Sequence, residues 1–146
     1  MSIVTLASVH GAPGVTTTAL LLASMLPDAV SLEADLEGGV LAVRYGLGRE
    51  PGLTTLAAAG QSGASAWRAH AQSAGGVPVL VGPDSPTSTA ALWRSAGERI
   101  TQGLRDAEAT VVVAAVRLRE PVAIAAASDL VVMLVDPVAE QGVVPG

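Results

Sequence analysis

Val9-His10-Gly11-Ala12-Pro13-Gly14-Val15-Thr16-Thr17-Thr18 joins two apolar segments of different character. Before it, Ile3–Val9 is a short β-branched run that reads as a strand covered on both faces. After it, Thr16–Leu26 reads as a helix with Leu20, Leu21, Leu22 and Met25 to bury, stopped by Pro27-Asp28. A strand, a glycine-rich turn and a helix with hydroxyls in its first turn form a phosphate-cradling layout. Gly11 and Gly14 let the backbone curl so that successive N–H groups point inward. The new helix offers unpaired N–H groups and the positive end of its dipole to an anion.

One residue type is missing. A phosphate loop that ends G-K-[ST] carries a lysine, and that slot here reads Gly14-Val15-Thr16. No lysine elsewhere can step in, because all eight basic residues are arginines. Thr16 or Thr17 stands where such loops place a hydroxyl on Mg²⁺.

Further along, Ala29–Leu32 reads as a second strand that ends in Glu33-Ala34-Asp35. Alternation sends both acids to one side, and the carboxyl ends of strands form the ligand crevice of open α/β sheets. Two readings stay open there: a functional acid pair, or a solvated strand end. Val40–Leu47 reads as a short helix, Leu53–Gly60 as a small one, and Ala64–Ala74 as another, carrying Trp67 at a seam and an exposed His70. Val77–Val81 is a strand with Pro78 near its start, where proline is tolerated. Ser85–Ala107 is the longest helix, with Pro86 at its start and Ala90, Ala91, Trp93, Ala96, Ile100 and Leu104 on one buried face. Thr110–Val116 is a buried strand, Pro121–Ser128 a short helix and Asp129–Asp136 a last strand. Strands alternating with helices predict one domain, 1–146, of α/β class: a doubly wound, mainly parallel sheet of the P-loop NTPase type.

The loop and the strand ends together resemble the ParA/MinD branch of P-loop ATPases, whose deviant loop reads K-G-G-x-G-K-T-T. On that pattern His10 falls on the signature lysine, Gly11 and Ala12 on the first two glycines and Gly14 on the third. Pro13 takes the variable place, Val15 the loop lysine, and Thr16-Thr17 the two threonines. Both lysines are absent. The family's D-x-D after the second strand falls on Glu33 and Asp35, and the resemblance gives Asp35 the role of orienting the attacking water. It also implies ATP with Mg²⁺, the nucleotide on His10–Thr17 and the metal on Thr16 and Asp35. The strand that should end in a Mg²⁺-holding acid passes through Ala114-Ala115 and meets none before Arg117.

The resemblance therefore implies a partitioning or positioning protein that binds nucleotide weakly and hydrolyses it slowly or not at all. Family members act as dimers, so a homodimer or a partner protein is expected. They also continue past the last strand, and that C-terminal part is absent from this sequence. The alternative is a non-catalytic pseudo-ATPase scaffold acting through protein contacts. A third reading, a dinucleotide-binding domain, rests on Glu33 lying about twenty residues beyond the loop. Against it, Gly11-Ala12-Pro13-Gly14 is not G-x-G-x-x-G.

Bulk properties narrow the classes. Half the residues are apolar, but there is no Phe and few other aromatics, so small side chains fill the interior. A net charge of −5 with scattered arginines argues against direct nucleic-acid binding by this domain. No cysteine excludes disulfides and thiolate chemistry. No segment reads as membrane-spanning or as a signal peptide, so a cytoplasmic protein is expected.

Overall fold

The computed structural model describes residues 3–8, 14–35, 40–60, 67–107, 110–117, 124 and 127–135. Its elements are β1 (Ile3–Ser8), α1 (Val15–Met25), β2 (Ala29–Glu33), α2 (Leu41–Tyr45), α3 (Leu53–Ala58), a 3-10 turn (Trp67–His70), β3 (Gln72–Ala74), β4 (Val77–Leu80), α4 (Pro86–Asp106), β5 (Thr110–Arg117) and β6 (Leu130–Met133). The strands form one sheet in the order β3-β4-β2-β5-β1-β6. Every pairing is parallel except β3 with β4.

Alternation along β5 builds the layers. Val111 and Val113 face one cluster with Leu53, Leu56, Trp67, Trp93 and Leu104, from the α3–α4 side. Val112 and Ala114 face the other, with Val15, Ala19 and Ala23 of α1. The central strands are thus covered on both faces, which is why they read as unbroken apolar runs. Alanine and valine at the α1 seam permit close approach of helix and sheet. At the far edge β6 is anchored by Asp129, whose Oδ2 accepts from Ile3 N at 2.8 Å and whose own N–H donates to Ile3 O at 2.8 Å. Its apolar side chains, Leu130, Val131, Val132 and Met133, remain exposed.

The long helix α4 starts as expected: the Ser85 hydroxyl accepts from Ser88 N at 3.1 Å, with Pro86 in the first turn. Its buried face is Thr89, Leu92, Trp93, Ala96, Gly97, Ile100, Thr101 and Leu104. Ala91 is exposed and Ala90 only half-buried, so the expected stripe is displaced at its first turn. In α1, Leu21 and Met25 are exposed, contrary to expectation, because the helix turns Val15, Ala19 and Ala23 to the sheet instead.

The expected helix Ala64–Ala74 is not formed over its second half. Gln72–Ala74 is a strand, turned back on β4 by Gly75 and Gly76 at φ 57 and 88. Two successive left-handed residues make the tight hairpin turn, a conformation glycine adopts without a steric penalty. Pro78 fits this arrangement. β4 meets β2 only at Val79 and Leu80, so no ladder bond to β2 is needed from the residue that lacks an N–H. His70 is half-buried rather than exposed, with Nδ1 2.8 Å from Thr55 Oγ1. Trp67 is buried in the large cluster, at the expected seam, with the Arg68 guanidinium 4.5 Å from its ring centroid. Of Pro121–Ser128, residues 121–123 and 125–126 lie outside the described residues, as do 136–146.

Candidate phosphate site at the first turn of α1

Four of the expected site residues, His10, Gly11, Ala12 and Pro13, lie outside the described residues. The structure describes Gly14, Val15, Thr16, Thr17 and Asp35. Gly14 caps α1 with φ 95, and its carbonyl receives the first helical bond, from Thr18 N at 2.8 Å. That left-handed φ is what demands glycine here, since a Cβ would meet nothing nearer than 3.9 Å.

Val15 occupies the place of the loop lysine, and it is 1% exposed. It packs with Leu6, Ala19, Val112 and Ala114. The slot is therefore filled by core, and it presents no cation to the crevice. Thr16 follows, 8% exposed. Among the described residues the buried side-chain atoms without a hydrogen-bond partner are Arg49 Nη1 and Trp93 Nε1, and the Thr16 hydroxyl is not one of them. No side chain caps α1 and no acid occupies its first turn. Thr17 is exposed, and its Oγ1 accepts from Arg44 Nη1 at 3.4 Å.

The two acids after β2 separate in role. Glu33 is 3% exposed, so the solvated reading of the strand end does not hold for it. Its Oε2 accepts from Val40 N at 2.7 Å and Leu41 N at 2.8 Å, and its Oε1 accepts from Gly82 N at 2.9 Å. One carboxylate thus ties the end of β2 to the start of α2 and to the chain leaving β4. Gly82 has no room for a side chain, since a Cβ there would lie 2.9 Å from Glu33 O. Beyond Glu33, Ala34 N still donates to Ala114 O at 2.9 Å, carrying the β2–β5 pairing one residue further. Asp35 is then half-buried, past the pairing, at the carboxyl edge of the sheet. Thr16 and Asp35 stand on that same edge, after β1 and β2, with β5 between them. Two interstrand spacings, about 10 Å, separate those strands.

At the end of β5, Ala114 and Ala115 are buried and bring no acid to this edge. The strand continues to Arg117, whose backbone is in register with Ser8 beyond a bulge after Ala7. Among the described residues no group of three or more His, Cys, Asp or Glu is placed to hold a metal ion. None of the described helices is long and apolar enough to cross a membrane.

Two contributors were not foreseen as such from sequence. Glu33 was assigned to the crevice and turns out to be a backbone latch, satisfied by N–H groups 7, 8 and 49 residues away. Arg44 looked like one scattered arginine among others. The only sequence signal for it was its place on the short helix directly after the acids.

The architecture is that of an α/β P-loop NTPase. It superposes on apo McdA from Cyanthece with a TM-score of 0.62 at 20% identity, covering 91% of this chain and 57% of that one. The kinase domain of the Escherichia coli tyrosine kinase ETK gives a TM-score of 0.62 at 18% identity, covering 91% of this chain and 55% of that one. The chain therefore spans little more than half the length of these structures. No protein-family model matches the sequence, and no curated protein matches it.

Proposed function

We propose that this chain is a ParA/MinD-like ATPase-fold protein of the partitioning or positioning type. In this reading the Gly11–Thr17 loop takes the phosphates of ATP, with Mg²⁺, and binds them weakly. The observation that carries the proposal is the start of α1: Gly14 at φ 95 opens a helix with no side-chain cap, and Thr16 and Thr17 stand in its first turn, on the carboxyl edge of the sheet. A phosphate or a metal ion is the kind of ligand that uncapped N–H groups and first-turn hydroxyls take. The likeness to McdA supports the ParA-like reading of the fold. Thr16 and Asp35 are the residues that would hold Mg²⁺, and Asp35 would orient an attacking water. The metal would neutralise charge developing on the phosphates. Dimerisation, or a partner protein, would complete the assembly.

Slow or absent hydrolysis follows from the same site. Val15 is sealed in the core and β5 brings no acid in Ala114-Ala115, so two groups that stabilise transferred phosphate are missing. Those two observations also favour the second reading, a pseudo-ATPase scaffold that works through protein contacts.

Calorimetric titration of the chain with ATP and Mg²⁺, with NAD as control, separates the readings. Binding of ATP and not NAD, weakened in Thr16→Ala, is the expected result. A folded chain that binds neither is a scaffold, and NAD binding in place of ATP would make it a dinucleotide domain.

A further inference from the structure

A hollow lies on the carboxyl edge of the sheet where the chain leaves β4 and enters α4. Its volume is about 410 Å³, within the range of small-molecule sites. Leu92 of α4 gives it an apolar side, Thr54 and Ser88 bring hydroxyls, and Glu50 and Asp84 bring carboxylates. One cation lines it, Arg49.

The backbone that carries Arg49 is strapped down. Gln72 of β3 donates from Nε2 to Gly48 O at 2.7 Å and to Pro51 O at 2.8 Å, and its Oε1 accepts from Gly48 N at 3.2 Å. Leu53 N donates to Val81 O at 2.8 Å, just past β4. Gly52 sits so close to Val81 that a Cβ there would lie 2.6 Å from the Val81 carbonyl oxygen. On the α4 side, the Ser85 hydroxyl fixes the first turn through Ser88 N. Both walls are set before any ligand arrives, which lowers the ordering cost of binding.

Within this frame Arg49 is left short of partners. Its side chain is half-buried, and its Nη1 is buried without a hydrogen-bond partner. The ion pairs among the described residues are Arg68–Asp28 and Arg105–Asp129, so Arg49 is paired with neither Glu50 nor Asp84. A buried donor on a charged group is rarely left unmade, because its lost hydration is costly. A planar guanidinium takes a carboxylate through two parallel N–H bonds. A phosphate fits the same fork, but it brings up to two negative charges to a hollow that holds one cation and two acids. The two acids, in turn, suit a positive group on the same ligand.

We propose that this hollow binds a small zwitterion of the amino-acid class, with its carboxylate on Arg49, its ammonium group toward Asp84 and Glu50, and an aliphatic side chain against Leu92. The site is separate from the nucleotide loop proposed above, since β2 and β5 lie between β4 and β1 in the sheet, and it does not depend on that reading.

The test is an NMR titration of the full labelled chain, reading the Arg49 Nε–H and the backbone amides of Asp84 and Ser88. The probes are L-leucine, isocaproate, which lacks the ammonium group, isoamylamine, which lacks the carboxylate, and inorganic phosphate. L-leucine is expected to move all three signals and to bind tightest. Isocaproate moves the Arg49 signal with about tenfold weaker binding, and isoamylamine and phosphate leave it in place. This series is run on the wild type and does not depend on any variant folding. Arg49→Ala and the milder Arg49→Gln weaken leucine by about tenfold or more. Asp84→Asn combined with Glu50→Gln weakens leucine and not isocaproate. Arg44, an exposed arginine on α2, controls for net charge, and Arg44→Ala binds leucine as wild type. Phosphate moving the Arg49 signal while leucine does not would overturn the ligand class. Equal losses in Arg49→Gln and Arg44→Ala would reduce the effect to overall charge and overturn the site, as would a folded wild type whose Arg49 signal no probe moves.

Discussion

Two polar clusters sit on the carboxyl edge of this sheet, and the chain satisfies one and leaves the other open. At the end of β2, the Glu33 carboxylate receives three backbone N–H bonds of 2.7 to 2.9 Å. At the start of α1, Thr16 is nearly as deeply placed, and the helix has no side-chain cap. Burial alone does not distinguish them. The difference lies in where the partners come from. A buried polar group whose partners are all supplied by its own backbone is part of the architecture. A helix start whose N–H groups no side chain caps is open to a ligand instead.

The largest effect is expected from breaking the satisfied cluster. Glu33→Ala leaves the N–H groups of Val40, Leu41 and Gly82 without their acceptor, two of them at the start of α2. A loss of about 3 kcal/mol or more is expected, at 1–3 kcal/mol for each stranded donor with some recovered by water. Urea unfolding should show it as a lower midpoint with an unchanged slope. A midpoint at the wild-type value would show that the latch holds nothing, and the contrast with Thr16 would lose one side.

Next in size is Val15→Lys, which writes the family's lysine back into the loop. Val15 is 1% exposed against Leu6, Ala19 and Val112, so the substitution removes a core side chain before it adds a charge. Loss of the valine's burial is worth about 1.5–3 kcal/mol, and the unfolding midpoint should fall accordingly. A variant as stable as wild type would mean that the lysine swings out into the crevice, and the open cluster would then be wider than the packing of Val15 suggests.

How much of this was legible in sequence follows the same division. β1, β5 and α1 could be read to within a residue or so, because a strand covered on both faces must be apolar throughout, but the buried face of α1 was not legible, since Leu21 and Met25 are exposed and Ala19 and Ala23 face the sheet. The phosphate-cradling shape was legible in Gly14 and the hydroxyls that follow it. The acids after β2 were legible as a pair and misleading as one. Asp35 stands beyond the pairing, while Glu33 is consumed by N–H groups as far as Gly82, 49 residues on, and no local pattern announces such a bond. β3 was hidden for another reason. Gln-Ser-Ala carries little strand propensity, and its pairing is imposed by the Gly75-Gly76 turn that follows it. The contact of Arg44 with Thr17 was out of reach because it joins α2 to α1, 27 residues apart in sequence.

The smallest expected effect is the most discriminating. Thr16→Ala removes a hydroxyl that caps no helix end and ties no two elements together as the Glu33 carboxylate does. Alanine is also the better helix former, which offsets the few atoms of packing lost. Stability should therefore stay within about 0.5 kcal/mol of wild type, as for substitutions that break no specific feature. That is several-fold less than for Glu33→Ala, although both residues are more than nine-tenths buried. Urea midpoints of the two variants, measured side by side, check the ratio. If Thr16→Ala instead loses as much as Glu33→Ala, the hydroxyl is bonded within the chain and the first turn of α1 is architecture too. If stability is kept, the hydroxyl does nothing for the fold of the free protein, and it stands available to a ligand at the open end of α1.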